Sequence, residues 1–290
     1  MAPPPPTNLP LTERLQRLAM TLQFGWFLGH ATLLFSVARY GLSYITFNYY
    51  SRWAQFSYRL AFVSAVATYG IVVYKAWRVR MKPAGAKPQN AALALLGDEN
   101  FQYLMISFVW LYSRQTPLAL LPFTVYSIFH VATYTRTNLI PTISPPKASP
   151  AGTTPTSPST PKSQSAAANT IGKFVKDYYD SAMLAVAGLE ILLWIRLLLS
   201  AITFSKGSWI LLGVYTVFLR ARFSQSQFVQ NAFTRGSAHI DQQVQNPNVP
   251  PAVRSGWESA KGVGKTAVDA TNLGKYINPQ GQQGAPKKAQ

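Results

Sequence analysis

Residues 98–136 read DENFQYLMISFVWLYSRQTPLALLPFTVYSIFHVATYTR, and the rest of the chain repeats their design. Asp98 and Glu99 close one end and Arg136 the other, and the only formal charge between them is Arg114. A membrane-crossing helix needs about 20 apolar residues. This run is nearly twice that, broken by Arg-Gln-Thr-Pro at 114–117. Arg114 is costly at mid-bilayer, and Pro117 biases Thr116 away from helix. The stretch predicts two apolar helices joined by a polar turn, a hairpin sunk in the membrane.

The composition agrees. The chain is 48% hydrophobic and only 12% charged, about half the charge of an ordinary soluble domain. Its apolar residues come in blocks that leave no polar face for water. The net charge of +18 suits nucleic acid on its face, but the Lys and Arg sit at block edges and in linkers, as on the cytosolic flanks of membrane spans. The chain has no cysteine, which excludes disulfides, thiol catalysis and Cys-ligated zinc. There is no Asn-x-Ser/Thr acceptor, so nothing asks for a large lumenal domain. The fold class expected is all-α: a polytopic membrane protein of helical hairpins with a cytosolic amphipathic C-terminal tail.

Working outward, residues 1–18 form a Pro-rich leader, MAPPPPTNLP, and an amphipathic helix from Leu11 to Leu18. The leader lacks the basic region of a signal peptide. Residues 19–74 read as a first helix pair, with spans at about 19–37 and 60–74. The connector 38–59 is rich in aromatics, Tyr44, Tyr49 and Trp53 among them. Such rings favour the headgroup layer, so the connector is expected flat on the membrane, with Arg59 and Lys75 snorkelling from the second span. The basic loop 75–97 carries Lys75, Arg78, Arg80, Lys82 and Lys87 ahead of Asp98. The positive-inside rule makes it cytosolic, and with it the N-terminus.

Beyond the central hairpin, 137–172 is a Pro/Ser/Thr linker expected to be disordered, either a spacer or a target of proline-directed kinases. Residues 173–222 form a third hairpin, turning at Ser205-Lys206-Gly207-Ser208 and returning to Arg220 and Arg222. Inside it lie Glu190 and Arg196, six positions and so about 600° apart on a helix, which points them to different sides. Either Glu190 satisfies a neighbouring helix and Arg196 snorkels, or the two belong to a functional site. Residues 223–277 suggest two cytosolic helices, the second with Val253 and Trp257 on one side and scattered cations on the other. That helix suits curved or loosely packed lipid, or alternatively a protein partner. Residues 278–290 are a disordered basic end.

Catalytic signatures are missing. His30, His130 and His239 are expected far apart, without His-x-x-x-His spacing. Gly262-Val263-Gly264-Lys265-Thr266-Ala267 lacks both the glycine spacing and the preceding strand of a phosphate loop. No enzyme, cofactor, metal, small-molecule substrate or nucleic-acid partner is expected. The competing class is a small transporter or lipid-handling protein with a polar path around Glu190, Arg196 and His130, for which the sequence offers no inverted repeat.

The combination of Glu99, Tyr103-Leu104, Ser107, Ser113, Pro117, Pro122, Tyr126-Ser127, Phe129-His130 and Thr133-Tyr134-Thr135-Arg136 resembles the central signature of the transmembrane protein 33 family. The likeness continues at Glu190 and at Leu219 through Arg222-Phe223-Ser224 and Ser226, covering roughly 11–260. Fungal members of that family are pore-membrane nucleoporins and their endoplasmic-reticulum paralogues. The resemblance implies a multi-pass protein of the endoplasmic reticulum and nuclear envelope, with a bilayer, nucleoporins, reticulon-like proteins and an import receptor as partners. Two features depart from the family pattern: the linker is long, and the tail helix is weakly amphipathic. Hairpins that fill the cytosolic leaflet more than the lumenal one act as wedges favouring curvature. Arg114, Arg136, Arg220 and Arg222 are expected to fix their depth, and Trp257 to anchor the tail.

Overall fold

A computed structural model describes residues 6, 8–82, 88–145 and 165–271. Most of the Pro/Ser/Thr linker, the basic end and more than half of the Pro-rich leader therefore lie outside the described residues, as does Lys87. Two compact units make up the chain, 1–219 and 220–290. Among the described residues the secondary structure is helix and turn, with no strand.

The first unit begins with α1 (Leu11–Ala19), which meets α2 (Leu22–Ile45) at a bend of 80°. Next come α3 (Arg52–Arg80), α4 (Pro88–Leu96) and α5 (Glu99–Tyr112). A 3-10 turn at Pro117–Ala119 opens α6 (Leu120–Tyr134), which runs through a π-helical turn, Thr135–Leu139, into α7 (Ile140–Ile143). The long α8 (Ala166–Ile202) follows, then α9 (Ser208–Gln225). Short polar side chains start these helices: Thr21, Ser51, Asp98 and Ser165 each accept a bond from a first-turn backbone N–H. The second unit holds α10 (Gln227–Val244), capped in the same way by Ser226, and α11 (Pro251–Ala270).

Three helical segments are long and apolar enough to cross a membrane: Arg52–Arg80, Pro117–Ile143 and Ala166–Ile202. The bent pair Leu11–Ala19 and Leu22–Ile45 makes a fourth if it acts as one span. The chain is an all-α polytopic membrane protein.

The helix limits differ from the sequence expectation in the first pair. Helix α2 runs on to Ile45 and α3 starts at Arg52, so most of 38–59 is helix and the aromatics stand on helix ends around a turn at 46–51. The pattern misleads because rings that favour headgroups are equally at home on helix ends at that depth. Likewise Lys75, Arg78 and Arg80 sit on the last turns of α3 rather than in a loop.

Arg59 does not snorkel. Its guanidinium donates to the carbonyls of Trp110, at 3.2 Å, and Leu111. Helix α5 has 14 residues, about 21 Å of rise against a hydrocarbon core of about 30 Å. Its last-turn carbonyls have no partner within the helix. Helix α3 supplies the missing donor, and it also orders the turn that follows: the Thr116 N–H donates to Tyr58 Oη at 3.1 Å. From α2, Tyr40 Oη donates to Gln115 Oε1 at 3.1 Å. Irregular backbone at 113–116 is tolerated because the bundle pairs it.

Candidate functional site

On α5 the helical period brings Tyr103, Ile106, Ser107 and Trp110 onto one buried face. On α8 the same period buries Met183, Val186, Ala187, Glu190, Leu193 and Leu197. Glu190 thus lies in the stripe turned toward the bundle, whereas Arg196 falls outside it and is exposed. The fully buried Glu190 side chain accepts through Oε1 from Tyr103 Oη. Tyr215 Oη, from α9, donates to the Glu190 backbone carbonyl at 3.3 Å.

Rings enclose this contact. Tyr103 stacks on Tyr69 with centroids 5.3 Å apart and planes 12° from parallel. It meets Phe123, Tyr126 and Phe218 edge-on at 5.4, 5.1 and 5.5 Å. Edge-to-face and offset-stacked pairs of this kind add about 0.5–1.5 kcal/mol each beyond their buried area. Five helices meet here, and the void they leave is about 10 Å³, at the lower limit for one water. Toward the helix start, Tyr126 Oη donates to Glu99 Oε1 at 2.9 Å.

A second polar contact sits between α2 and α6. His30 Nδ1 and Ser127 Oγ are 2.9 Å apart and buried. The His30 and His130 rings lie 4.6 Å apart, and Trp26 contacts both, at 4.7 and 4.9 Å. The expectation that His30 and His130 are far apart is thus wrong. The two residues are 100 positions apart in sequence, and only the packing of α2 on α6 joins them. Among the described residues no group of His, Cys, Asp or Glu is arranged to hold a metal ion.

Three further family-signature residues lie at helix starts or in the core. Pro117 starts the 3-10 turn, where its missing N–H costs nothing. Pro122 is buried near the start of α6. Tyr134 is fully buried and stacks on Phe27 at 4.7 Å.

Of the residues read as interfacial, Tyr44 is exposed on α2, with Tyr49 stacked on it at 4.8 Å, and Trp53 is exposed on the first turn of α3. Arg114 Nη2 donates to the Lys206 carbonyl at 3.1 Å, tying the turn 113–116 to the turn 203–207. Arg136 lies against Gly172, where an added Cβ would fall 2.6 Å from its Cζ.

In the second unit, Arg220 donates through Nε to Thr271 Oγ1 at 2.6 Å and through Nη2 to the Val268 carbonyl at 3.0 Å. Arg222 is buried on the last turn of α9. Val253 is exposed on α11. Trp257 is half-buried: its Nε1 donates to Asp241 Oδ1 of α10 at 2.6 Å. Lys261 bonds the same oxygen at 2.8 Å and lies 5.8 Å from the centroid of the Trp257 ring. The hydrogen bonds from Lys261 and Trp257 hold the Asp241 carboxyl below its usual range, and those to Asp241 and Glu258 raise Lys261.

Neither the small void nor the cleft at the turns brings Glu190, Arg196 and His130 together. Glu190 lines the small void and Arg196 a separate cleft, and His130 lines neither. The residues that the sequence does not single out are Tyr69, Phe123, Tyr215 and Phe218. Each is one apolar ring among many in its block, and only the packing selects it.

A model of the family "Transmembrane protein 33/Nucleoporin POM33" matches residues 9–267. The chain is 53% identical over 292 residues to the "Nucleoporin POM33" of Chaetomium thermophilum, covering 100% of both chains. It is 29% identical over 269 residues to the "Pore membrane protein of 33 kDa" of Saccharomyces cerevisiae, covering 88% of each. It is also 29% identical over 252 residues to the "Tetra-spanning protein 1" of Schizosaccharomyces pombe, covering 87% of this chain and 86% of that one. No solved structure matches.

Proposed function

Because the chain belongs to the Transmembrane protein 33/Nucleoporin POM33 family, we propose that it is a non-enzymatic protein of the nuclear pore membrane that stabilises curved bilayer and helps organise the pore. The observation that carries this reading is the end-to-end match to a nucleoporin at 53% identity. The structure supports it in three ways. The polar groups at the bundle centre are bonded to one another in a void too small for a substrate. Large apolar side chains such as Phe35, Ile45, Ile210 and Val217 face outward, as lipid contact requires. Helix α11 carries the exposed Val253 and Val263 between cations, the pattern of a weak interfacial helix.

In this reading the protein resides in the nuclear envelope and the continuous endoplasmic reticulum, with both termini cytosolic. Nucleoporins, reticulon-like membrane proteins and an import receptor are its partners, on the strength of the family resemblance. Arg114, Arg136, Arg220 and Arg222 set the depth of the hairpins, and Tyr44, Tyr49 and Trp53 mark a membrane interface.

A fluorescent tag at the native locus, imaged with a pore marker, tests the assignment. Enrichment at pores along the nuclear rim is the result expected. An even distribution through the peripheral endoplasmic reticulum would refute it. For the curvature role, the full-length protein in small liposomes is compared with its Val253→Asp/Trp257→Ala variant. Unchanged vesicle narrowing in the variant would remove α11 from the account.

A further inference from the structure

Where the turns 113–116 and 203–207 meet, the bundle opens into a cleft of about 620 Å³. Arg114, Arg196 and Lys206 line it, and all three are exposed. Among the described residues, no acidic residue lines it. None of the three cations is ion-paired among the described residues. Arg114 uses one N–H on the Lys206 carbonyl at 3.1 Å, which leaves most of its donor fork facing outward. Ser113 and Ser205 also line the cleft, while Val109, Leu197, Leu211 and Val214 furnish an apolar wall.

Like charges gathered at the edge of a low-dielectric bundle repel one another unless an anion joins them. Guanidinium forks match the oxygens of a phosphate bidentately, and the ammonium adds a point charge. The apolar wall answers a different need, since a free anion has no use for it and a hydrocarbon chain has. The cleft is built from α5, α8 and α9, next to a segment long and apolar enough to cross the bilayer. We propose that this cleft binds the phosphate headgroup of an anionic phospholipid, with Arg114, Arg196 and Lys206 on the phosphate and the first acyl carbons along the Leu197–Leu211 wall. A lipid seated there would bridge the two hairpin turns, so occupancy couples the local lipid composition to the packing of α5 against α8 and α9.

The test uses the full chain in phosphatidylcholine nanodiscs containing phosphatidic acid with a photoactivatable acyl chain, and crosslinked peptides are mapped by mass spectrometry. Crosslinks to peptides covering 109–116 and 196–214 are the result expected. They should fall by about tenfold in Arg114→Gln/Arg196→Gln, the loss of charge-assisted contacts. A comparable fall is expected in Lys206→Glu. The control Lys75→Gln/Arg78→Gln, which removes equal charge outside the cleft, should leave them unchanged. Should the double arginine variant aggregate, Lys206→Glu, on an exposed side chain, decides alone.

An equal fall in the control, or equal labelling of the cleft by a photoactivatable phosphatidylcholine, would overturn the proposal. Displacement by millimolar inorganic phosphate as readily as by unlabelled phosphatidic acid would assign the cleft to a free anion and overturn the lipid source.

Discussion

Tyr103 and Glu190 hold the centre of the bundle through one hydrogen bond that crosses 87 positions of sequence. A hydrogen bond of this kind contributes about 0.5–1.5 kcal/mol net. Tyr103→Phe should therefore lower the unfolding free energy in detergent by that amount, while Glu190→Gln, which keeps shape and acceptor, should cost less. If Tyr103→Phe loses no more than the exposed Tyr178→Phe, the bond contributes nothing. The bond between His30 and Ser127 belongs to the same class, and interhelical bonds in membranes average about 0.6 kcal/mol. Ser127→Ala is expected near that value by the same titration. The sequence makes these residues conspicuous, since a carboxyl in an apolar block demands a partner. It does not name the partner. Tyr103 is one of 15 tyrosines and Tyr215 another, and nothing local distinguishes a ring that meets Glu190 from one that meets lipid.

At the scale of elements, α2 and α3 approach closely at Gly29. A Cβ there would fall 2.5 Å from Thr68 Cγ2, and Thr68 is itself buried. Small residues permit such close contact in membrane bundles. Gly29→Ala should destabilise by about 1–3 kcal/mol, as overpacking does. Thr68→Ser removes the clashing methyl and keeps the hydroxyl bonded to the Ala65 carbonyl, so it should rescue the loss. Rescue no larger than the effect of Thr68→Ser alone would refute the close contact.

Two helix ends share a second device. After α2 and after α8 the chain turns through Phe47 (φ 54°) and Phe204 (φ 53°), and the next N–H reaches back to Ser43 and Ser200. A left-handed position normally belongs to glycine. Both rings are exposed, at 87% and 81%. Their use there is explained if they contact lipid. Phe204→Gly should raise intrinsic stability by about 1 kcal/mol in denaturant titration while weakening retention in bilayers.

The contact between α10 and α11 responds to pH. The folded value of Asp241 is lowered, so its contribution is present above the ordinary range near pH ~4 and is lost as pH falls through the lowered value. Lys261 is raised, so its contribution is present below about pH 10 and is lost as pH rises through the raised value. Amide protection over 227–270, taken relative to the intrinsic exchange rate at each pH, should be flat between these limits and fall beyond either one. A fall in protection near pH 6 would contradict this. The sequence shows both helices through their Pro and Ser boundaries, but not that Trp257 turns toward Asp241. One aromatic on a helix face reads the same whether it meets lipid or another helix.

At the scale of the molecule, blocks of apolar residues separated by charged breaks made the membrane class legible, because a hydrocarbon solvent forces backbone satisfaction within helices. The extent of the helices was less legible. At 38–59 and 75–80 aromatic and basic residues continue a helix past the apolar core, and the same residues also suit a surface connector or loop. The ends of the bundle follow from contacts. Arg114 reaches the Lys206 carbonyl at one end, while Arg80 pairs with Asp98 at 3.1 Å where α3 ends and α5 begins. The turns 113–116 and 203–207 therefore lie together, away from the start of α5.

Single-cysteine labelling in this cysteine-free chain tests the topology most directly, with Ser113, Ser144, Ser205 and Ser255 each replaced by Cys in sealed membranes. Residues 144 and 255 should react with an impermeant maleimide from the cytosolic side. Residues 113 and 205 should react together, and only after the membrane is permeabilised. Labelling of 144 from the side opposite 255 would mean that 98–136 crosses once, and the hairpin architecture would be wrong.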